Sequence, residues 1–246
     1  MAGNWKMYKT PAETGSFFEK FRPLVAATQY CEIVICPPFT NIAAAVEAAR
    51  GTRIQVGAQN LYWAKEGAFT GEVSGPLIRA ASAAYVIVGH SERRQYFGET
   101  DATVLKKIGA ALEAGLTPIV CVGELLEHRE AGQTDAVLSE QCCEGILRLD
   151  DRQFAQVVIA YEPVWAIGTG KTATPEIAAA AHRTIRGEVR SRYGEDAAGQ
   201  VRILYGGSVK PDNVRSLMAQ TEIDGALVGG ASLDPVSFAS IVNFQS

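Results

Sequence analysis

Glu162 ends an apolar, β-branched run, Val158-Ile159-Ala160-Tyr161, and is followed by Pro163 and a loop that contains Gly168 and Gly170. A carboxylate at the carboxyl end of a buried strand, beneath a glycine-bearing loop, can serve as an acid or a base under a moving cover. His90 is the second candidate, directly after the run Ala84–Val88 and Gly89. Ser91 reads as an N-cap, which places His90 beside a helix N-terminus. The positive end of that dipole disfavours an imidazolium and keeps the ring neutral. A neutral ring can donate to an oxygen that gains charge and then shuttle a proton. Asn4 and Lys6 are two residues apart in Gly3-Asn4-Trp5-Lys6-Met7, so on an extended strand they share a face while Trp5 takes the other. Each of these also has an ordinary reading: a strand-end carboxylate in solvent, a histidine that merely hydrogen-bonds, a solvated lysine.

Two glycine pairs add a different chemistry. Gly206-Gly207-Ser208-Val209 follows the run Val201–Tyr205, and Gly229-Gly230-Ala231-Ser232 follows Asp224–Val228, each ahead of a helical stretch. Either pair alone is a simple turn. At consecutive strand ends they read as an anion cradle built from backbone N–H groups, a phosphate site that needs few lysines. His128 and His182 read as surface helix residues with no role, and Cys121 as an inert strand thiol.

The elements that must position these groups alternate regularly. Apolar runs around Asn4, Glu32–Cys36, Arg53–Gln59, Ala84–Val88, Thr117–Val122, Val158–Tyr161, Val201–Tyr205 and Asp224–Val228 are separated by helical segments. Among the latter are a capped start at Thr10-Pro11-Ala12-Glu13, a mostly helical stretch from Leu125 to Leu149, and a long helix from Pro175 to about Tyr193. Eight parallel strands alternating with helices predict an α/β fold, a closed (β/α)8 barrel in one domain over residues 1–246, with sites at the carboxyl ends of the strands. An open doubly wound sheet is the other architecture with this alternation. It would usually carry its phosphate loop after the first strand, whereas these glycine turns follow the last two.

Length and charge narrow the function. The chain has 246 residues, 47% of them hydrophobic, with a formal charge of −4 and an isoelectric point near 5.5. That balance argues against a nucleic-acid or anionic-membrane partner, so an anionic substrate needs a local positive site. Five cysteines lack metal-type spacing, and a reducing, cytoplasmic setting is expected. No run is apolar and long enough to span a bilayer, and no signal peptide is visible. The excursion from Asn60 to Ser74 is long for a compact domain and reads as functional or interfacial.

The stretch from Ala160 to Thr172 closely resembles the signature of the triosephosphate isomerase family. Gly3–Met7, Gly67-Ala68-Phe69-Thr70-Gly71-Glu72, Val88–Arg94, Tyr205–Ser208 and Leu227–Gly230 match the same family, in its order. The resemblance implies interconversion of dihydroxyacetone phosphate and glyceraldehyde 3-phosphate, a step of glycolysis and gluconeogenesis, without cofactor or metal. It implies Glu162 as general base, His90 as electrophile, Lys6 as the cation that neutralises substrate charge, and Asn4 as a positioning group. Gly168, Ser208, Gly229 and Gly230 would supply phosphate contacts. It also implies a lid hinged at Pro163 and at Lys171-Thr172-Ala173, and a homodimer in which the Gly67–Glu72 loop docks into the neighbouring subunit. Family members usually carry several apolar residues before the Gly-Asn-Trp-Lys motif. Here only Met1 and Ala2 precede it, so a short first strand with weakened pairing is expected. Two other readings compete: a Schiff-base aldolase on the same barrel with Lys6 or Lys171 as nucleophile, and a non-catalytic sugar-phosphate binder. The joint presence of Glu162, His90 and Lys6 speaks against the binder, which needs no base.

Overall fold

A computed structural model describes residues 1–168 and 171–245. Eight parallel strands close into a barrel in chain order: β1 Ala2–Asn4, β2 Ile33–Cys36, β3 Ile54–Ala58, β4 Tyr85–Val88, β5 Thr117–Val122, β6 Val158–Tyr161, β7 Arg202–Tyr205 and β8 Gly225–Val228. The closed barrel is the architecture expected from the alternation, and the open sheet is set aside. β1 has three residues yet pairs on both sides, Ala2, Gly3 and Asn4 against Val34, Ile35 and Cys36, and Ala2 and Gly3 against Leu227 and Val228. Its shortness therefore leaves the barrel closed.

The strands read as unbroken apolar runs because both of their faces are covered. Alternate residues separate into two cores. Ala2, Val34, Tyr85, Ile87, Ile119, Cys121, Val158, Ala160, Leu204 and Leu227 fill the barrel interior. Val86, Val88, Val120, Val122, Ile159, Tyr161, Ile203 and Val228 face the surrounding helices. This two-residue period carries past the strand ends and decides which side chains reach the barrel mouth. Glu162 continues the inward series of Val158 and Ala160, and Asn4 continues that of Ala2.

Helix boundaries follow local chemistry. Thr10 caps the Pro11–Val25 helix and forms a reciprocal capping box with Glu13. The long helix is Pro175–Tyr193, with Thr174 as its cap. The Leu125–Leu149 region divides into helices Leu126–Glu130 and Thr134–Glu144 and a 3-10 turn, Ile146–Arg148. Among the described residues no helix is long and apolar enough to cross a membrane. His182 is the clear misreading. It is wholly buried in the Pro175–Tyr193 helix, edge-on to Tyr161, with Nδ1 3.1 Å from the Glu222 carbonyl. Burial drives its pKa down to about 3, so it is a neutral core group. His128 is likewise half-buried, with a buried, unpartnered Nδ1.

Candidate active site

The carboxyl ends of β1, β4, β6, β7 and β8 open into one cleft of about 380 Å³. Asn4, Lys6, His90, Glu162, Gly168, Ser208, Gly229 and Gly230 all line it, so every candidate residue meets the others in one space. Gly206, Gly207, Leu227 and Leu233 complete the walls.

Glu162 is held by backbone as much as by side chain. Its N–H donates to Val122 O at 2.8 Å, and the next strand joins through Gly206 N to Tyr161 O at 2.7 Å. The neighbours must be glycine. A Cβ on Gly123 would lie 1.7 Å from the Glu162 carbonyl oxygen, and one on Gly206 would lie 2.9 Å from Glu162 Cγ. The residue is 2% exposed, and its two carboxylate oxygens take separate partners. Oε1 is 2.9 Å from His90 Nε2, and Oε2 accepts from Ser91 N at 2.9 Å. Burial pushes the carboxyl pKa up, but His90, the Ser91 amide and Lys6 together bring it below the ordinary glutamate value.

His90 reaches the mouth because Gly89 breaks the strand's parity. Tyr85 and Ile87 face inward, and the next inward position is Gly89, whose φ of +71° turns the chain so that His90 enters instead. His90 itself is the N-cap of the Ser91–Phe97 helix, where Ser91 had been expected, and its Nδ1 accepts from Glu92 N at 3.2 Å. That amide places the proton of a neutral ring on Nε2, toward Glu162. The ring's proton affinity departs from the expectation based on the helix dipole. Burial disfavours the charged form, yet the adjacent Glu162 carboxylate, aided by Glu92, outweighs it and lifts the pKa above the usual histidine value. A counter-charge in contact overrides a dipole of about half a unit charge.

Lys6 arrives by a route the strand pattern did not contain. β1 ends at Asn4, and Lys6 sits at φ +51°, so the two do not share a strand face. Asn4 Oδ1 instead accepts from Lys6 N at 3.0 Å, and Gln59 Nε2 donates to Lys6 O and Cys36 O, each at 2.8 Å. These bonds hold a left-handed backbone that a lysine disfavours. Lys6 Nζ then pairs with Glu92 at 2.5 Å. Trp5 does face away, buried against Phe17 and Phe18 with its indole N–H on Ser232 O at 3.0 Å. Gln59 and Glu92 escaped the sequence reading, since only the folded chain brings them to Lys6.

Two glycine-rich turns lie side by side at the ends of β7 and β8 as one wall of the cleft, the first of them adjoining Glu162's own strand end. Gly229 would meet only Lys6 Cε, at 3.6 Å, through an added Cβ, and Gly230 nothing, so the backbone there is open to a ligand. Ser208 and Gly168 complete that wall, and Gly168 has φ +69°. In the loop after β6, Val164–Ala166 forms a 3-10 turn, and Trp165 Nε1 donates to the buried Glu124 Oε1 at 2.9 Å. Thr169 and Gly170 of the expected lid lie outside the described residues.

The cleft thus joins a buried carboxylate, an imidazole, a lysine and two glycine-rich turns. The family model for triosephosphate isomerase matches residues 1–245. The chain belongs to the triosephosphate isomerase family. It is 74% identical to a triosephosphate isomerase of Solibacter usitatus, over 99% of this chain and 98% of that one. It is 59% identical to one from Moorella thermoacetica, over 100% and 98%. The crystal structure of triosephosphate isomerase from Bartonella henselae superposes with a TM-score of 0.90 at 37% identity, covering 100% of this chain and 98% of the other. As a member of the triosephosphate isomerase family the chain is an isomerase.

Proposed function

We propose that Glu162 is the base and His90 the electrophile in this family's reaction, the interconversion of dihydroxyacetone phosphate and D-glyceraldehyde 3-phosphate. The observation that carries the assignment is the 2.9 Å contact between Glu162 Oε1 and His90 Nε2 at the floor of the glycine-walled cleft. A base and a proton donor in contact must part to admit a substrate, and a small enediol unit then fits between them. The phosphate docks on the Ser208, Gly229 and Gly230 wall, with Gly168 joining when the lid closes. Asn4 and Lys6 border that wall, since β1 pairs with β8 and a Cβ on Gly229 would lie 3.6 Å from Lys6 Cε, and the Lys6 ammonium offsets the charge of the bound dianion.

Glu162 takes a proton from C1 of the ketose, the carbon next to the carbonyl. Negative charge moves to the carbonyl oxygen, where the Nε2–H of His90 and the Lys6 ammonium lower its energy. Proton transfer among the two oxygens and return of a proton from Glu162 to C2 give the aldose, with no net gain or loss of atoms. The aldolase reading needs an uncharged amine at Lys6 or Lys171. Lys6 Nζ is instead engaged by the Glu92 carboxylate at 2.5 Å.

The same reading extends to assembly as a homodimer. Phe69, at the tip of the Gly67–Glu72 loop, is 43% exposed and rests on Tyr62 with ring centroids 4.7 Å apart. Met7, Tyr8 and Phe97 expose large apolar area around a second hollow of about 460 Å³ that Lys6, His90 and Glu92 also line. A loop tip from a second copy would cover this apolar rim and close the back of the site. An assay coupling triose phosphate interconversion to a dehydrogenase tests the function, with borohydride added in parallel. Turnover without a trapped lysine adduct is expected, and a covalent adduct at Lys6 or Lys171 would overturn the reading.

A further inference from the structure

The backbone of β5 and its extension hold Glu162 from one side only. Val122 O accepts from Glu162 N, and Glu124 O accepts from Val164 N at 3.1 Å. The polar groups of the residue between them, Gly123, therefore face the other way, toward β4. The β4–β5 register pairs Val88 with Val120. Continued by three residues, it would set residue 91 opposite Gly123. But β4 has ended, and Ser91 is the first residue of the Ser91–Phe97 helix, with its N–H given to Glu162 Oε2.

The vacant pairing position is filled by a side chain. Gln141, on the Thr134–Glu144 helix, accepts from Gly123 N through Oε1 at 2.7 Å and donates from Nε2 to Gly123 O at 3.1 Å. A carboxamide that answers both the N–H and the C=O of one residue does the work of a peptide unit on a neighbouring strand. Behind this contact lies a hollow of about 310 Å³, lined by Gly123, Gln141, His128, Val164 and the rear of Glu162. With open space there, the two hydrogen bonds from Gln141 back the Gly123 ridge. Gly123 in turn lies so close to the Glu162 backbone that no Cβ fits between them.

We propose that Gln141 is a positioning residue for Glu162. Its carboxamide stands in for the peptide unit that the strand register calls for at residue 91. That substitution leaves the Ser91 amide free to bind the carboxylate. It also fixes the Val122 to Glu124 backbone, from whose ends Glu162 and Val164 are hung. The inference rests on Glu162 as the base of the proposed reaction.

The test compares Gln141→Leu, which keeps bulk and loses both hydrogen bonds, with Leu138→Val, which loosens the core of the same helix without touching Gly123. Catalysis is sensitive to displacements of about 1 Å. Gln141→Leu should lower kcat by about tenfold or more while KM and the inhibition constant of inorganic phosphate stay within about twofold. Leu138→Val should lower Tm and leave kcat unchanged. Gln141→Glu keeps the acceptor and loses the donor, so its kcat should fall between the parent and Gln141→Leu. This variant also serves if the leucine protein fails to fold. Full turnover in Gln141→Leu, or in Gln141→Glu where that is the one that folds, overturns the inference. So does a parallel loss of kcat, phosphate binding and Tm, which marks a merely structural anchor. Normal turnover in Glu162→Gln would instead overturn the base assignment itself, so the two failures are told apart.

Discussion

Adding one methyl group at Gly123 is the sharpest perturbation that the placement of Glu162 allows. In Gly123→Ala the new Cβ would start 1.7 Å from the Glu162 carbonyl oxygen, and real Cβ atoms essentially never approach closer than 3.0 Å. The obstructing atom is backbone, so no side-chain rotation relieves it. The ends of β5 and β6 must separate by about 1.3 Å, the difference between those two distances. That movement pulls on the 2.8 Å bond from Glu162 N to Val122 O. Overpacking of this kind costs about 1–3 kcal/mol. For a chain of this length that is a loss of roughly 2–12 °C in Tm, at about 2–4 °C per kcal/mol. The kinetic effect should be larger. Misplacing a catalytic group by about 1 Å costs on the order of a hundredfold, or about 2.7 kcal/mol of barrier. Initial rates in the coupled assay and a thermal melt measure both. Gly187→Ala is the control, since its Cβ meets nothing within 4 Å inside the Pro175–Tyr193 helix. It should raise stability by about 0.5–1 kcal/mol and leave rates alone. A folded Gly123→Ala protein with turnover within threefold of the parent would refute the claim that this backbone contact sets the base.

Three further outcomes are expected. The ionised Glu162–His90 pair stabilises the fold most between the ordinary values of its two members, 4.5 and 6.5. Below that window the depressed Glu162 takes up its proton and the contribution is lost. Above it the contribution fades as pH rises through the raised value of His90. His90→Gln should flatten this part of the Tm–pH curve and move the acid limb of kcat/KM upward, because a buried carboxyl has lost its counter-charge. An unchanged acid limb would contradict the electrostatic account. Phe69→Ser should shift the protein from dimer toward monomer in light scattering at micromolar concentration, with lower activity, and an active parent monomer would refute the docking role of the loop. If the loop after β6 acts as the proposed lid over the enediolate, deleting Ile167–Thr169 should slow isomerisation strongly and raise the share of substrate lost as methylglyoxal. NMR product analysis that finds normal isomerisation and no extra methylglyoxal would rule out a lid function.

The barrel and the gathering of most candidate residues in one cleft were legible in the sequence for a simple reason. Strand parity is a local property, and it carries Glu162 and Asn4 inward from residues that can be counted along the chain. The glycine pairs at the ends of β7 and β8 were legible because an open backbone needs that residue type. What failed was whatever depended on a turn or on a distant neighbour. Lys6 shares the cleft with Asn4 through a left-handed turn braced by Gln59, not through strand alternation. His90 caps its own helix, and its charge balance is governed by Glu162, which lies 72 positions away in the chain. His182 looked like a helix surface residue because nothing local reveals that the neighbouring elements bury that side of the helix. Gln141 left no local signal, since its partner is backbone 18 residues away and any long polar side chain on a helix reads as solvated.

The most direct test of the account is Glu162→Gln, which preserves shape and removes basicity. The glycine wall, Lys6 and His90 are untouched, so the inhibition constant of inorganic phosphate should stay within about threefold. The loss of a general base should lower kcat by at least about a hundredfold. Turnover close to that of the parent, with phosphate binding intact, would contradict the assignment of Glu162 as the base.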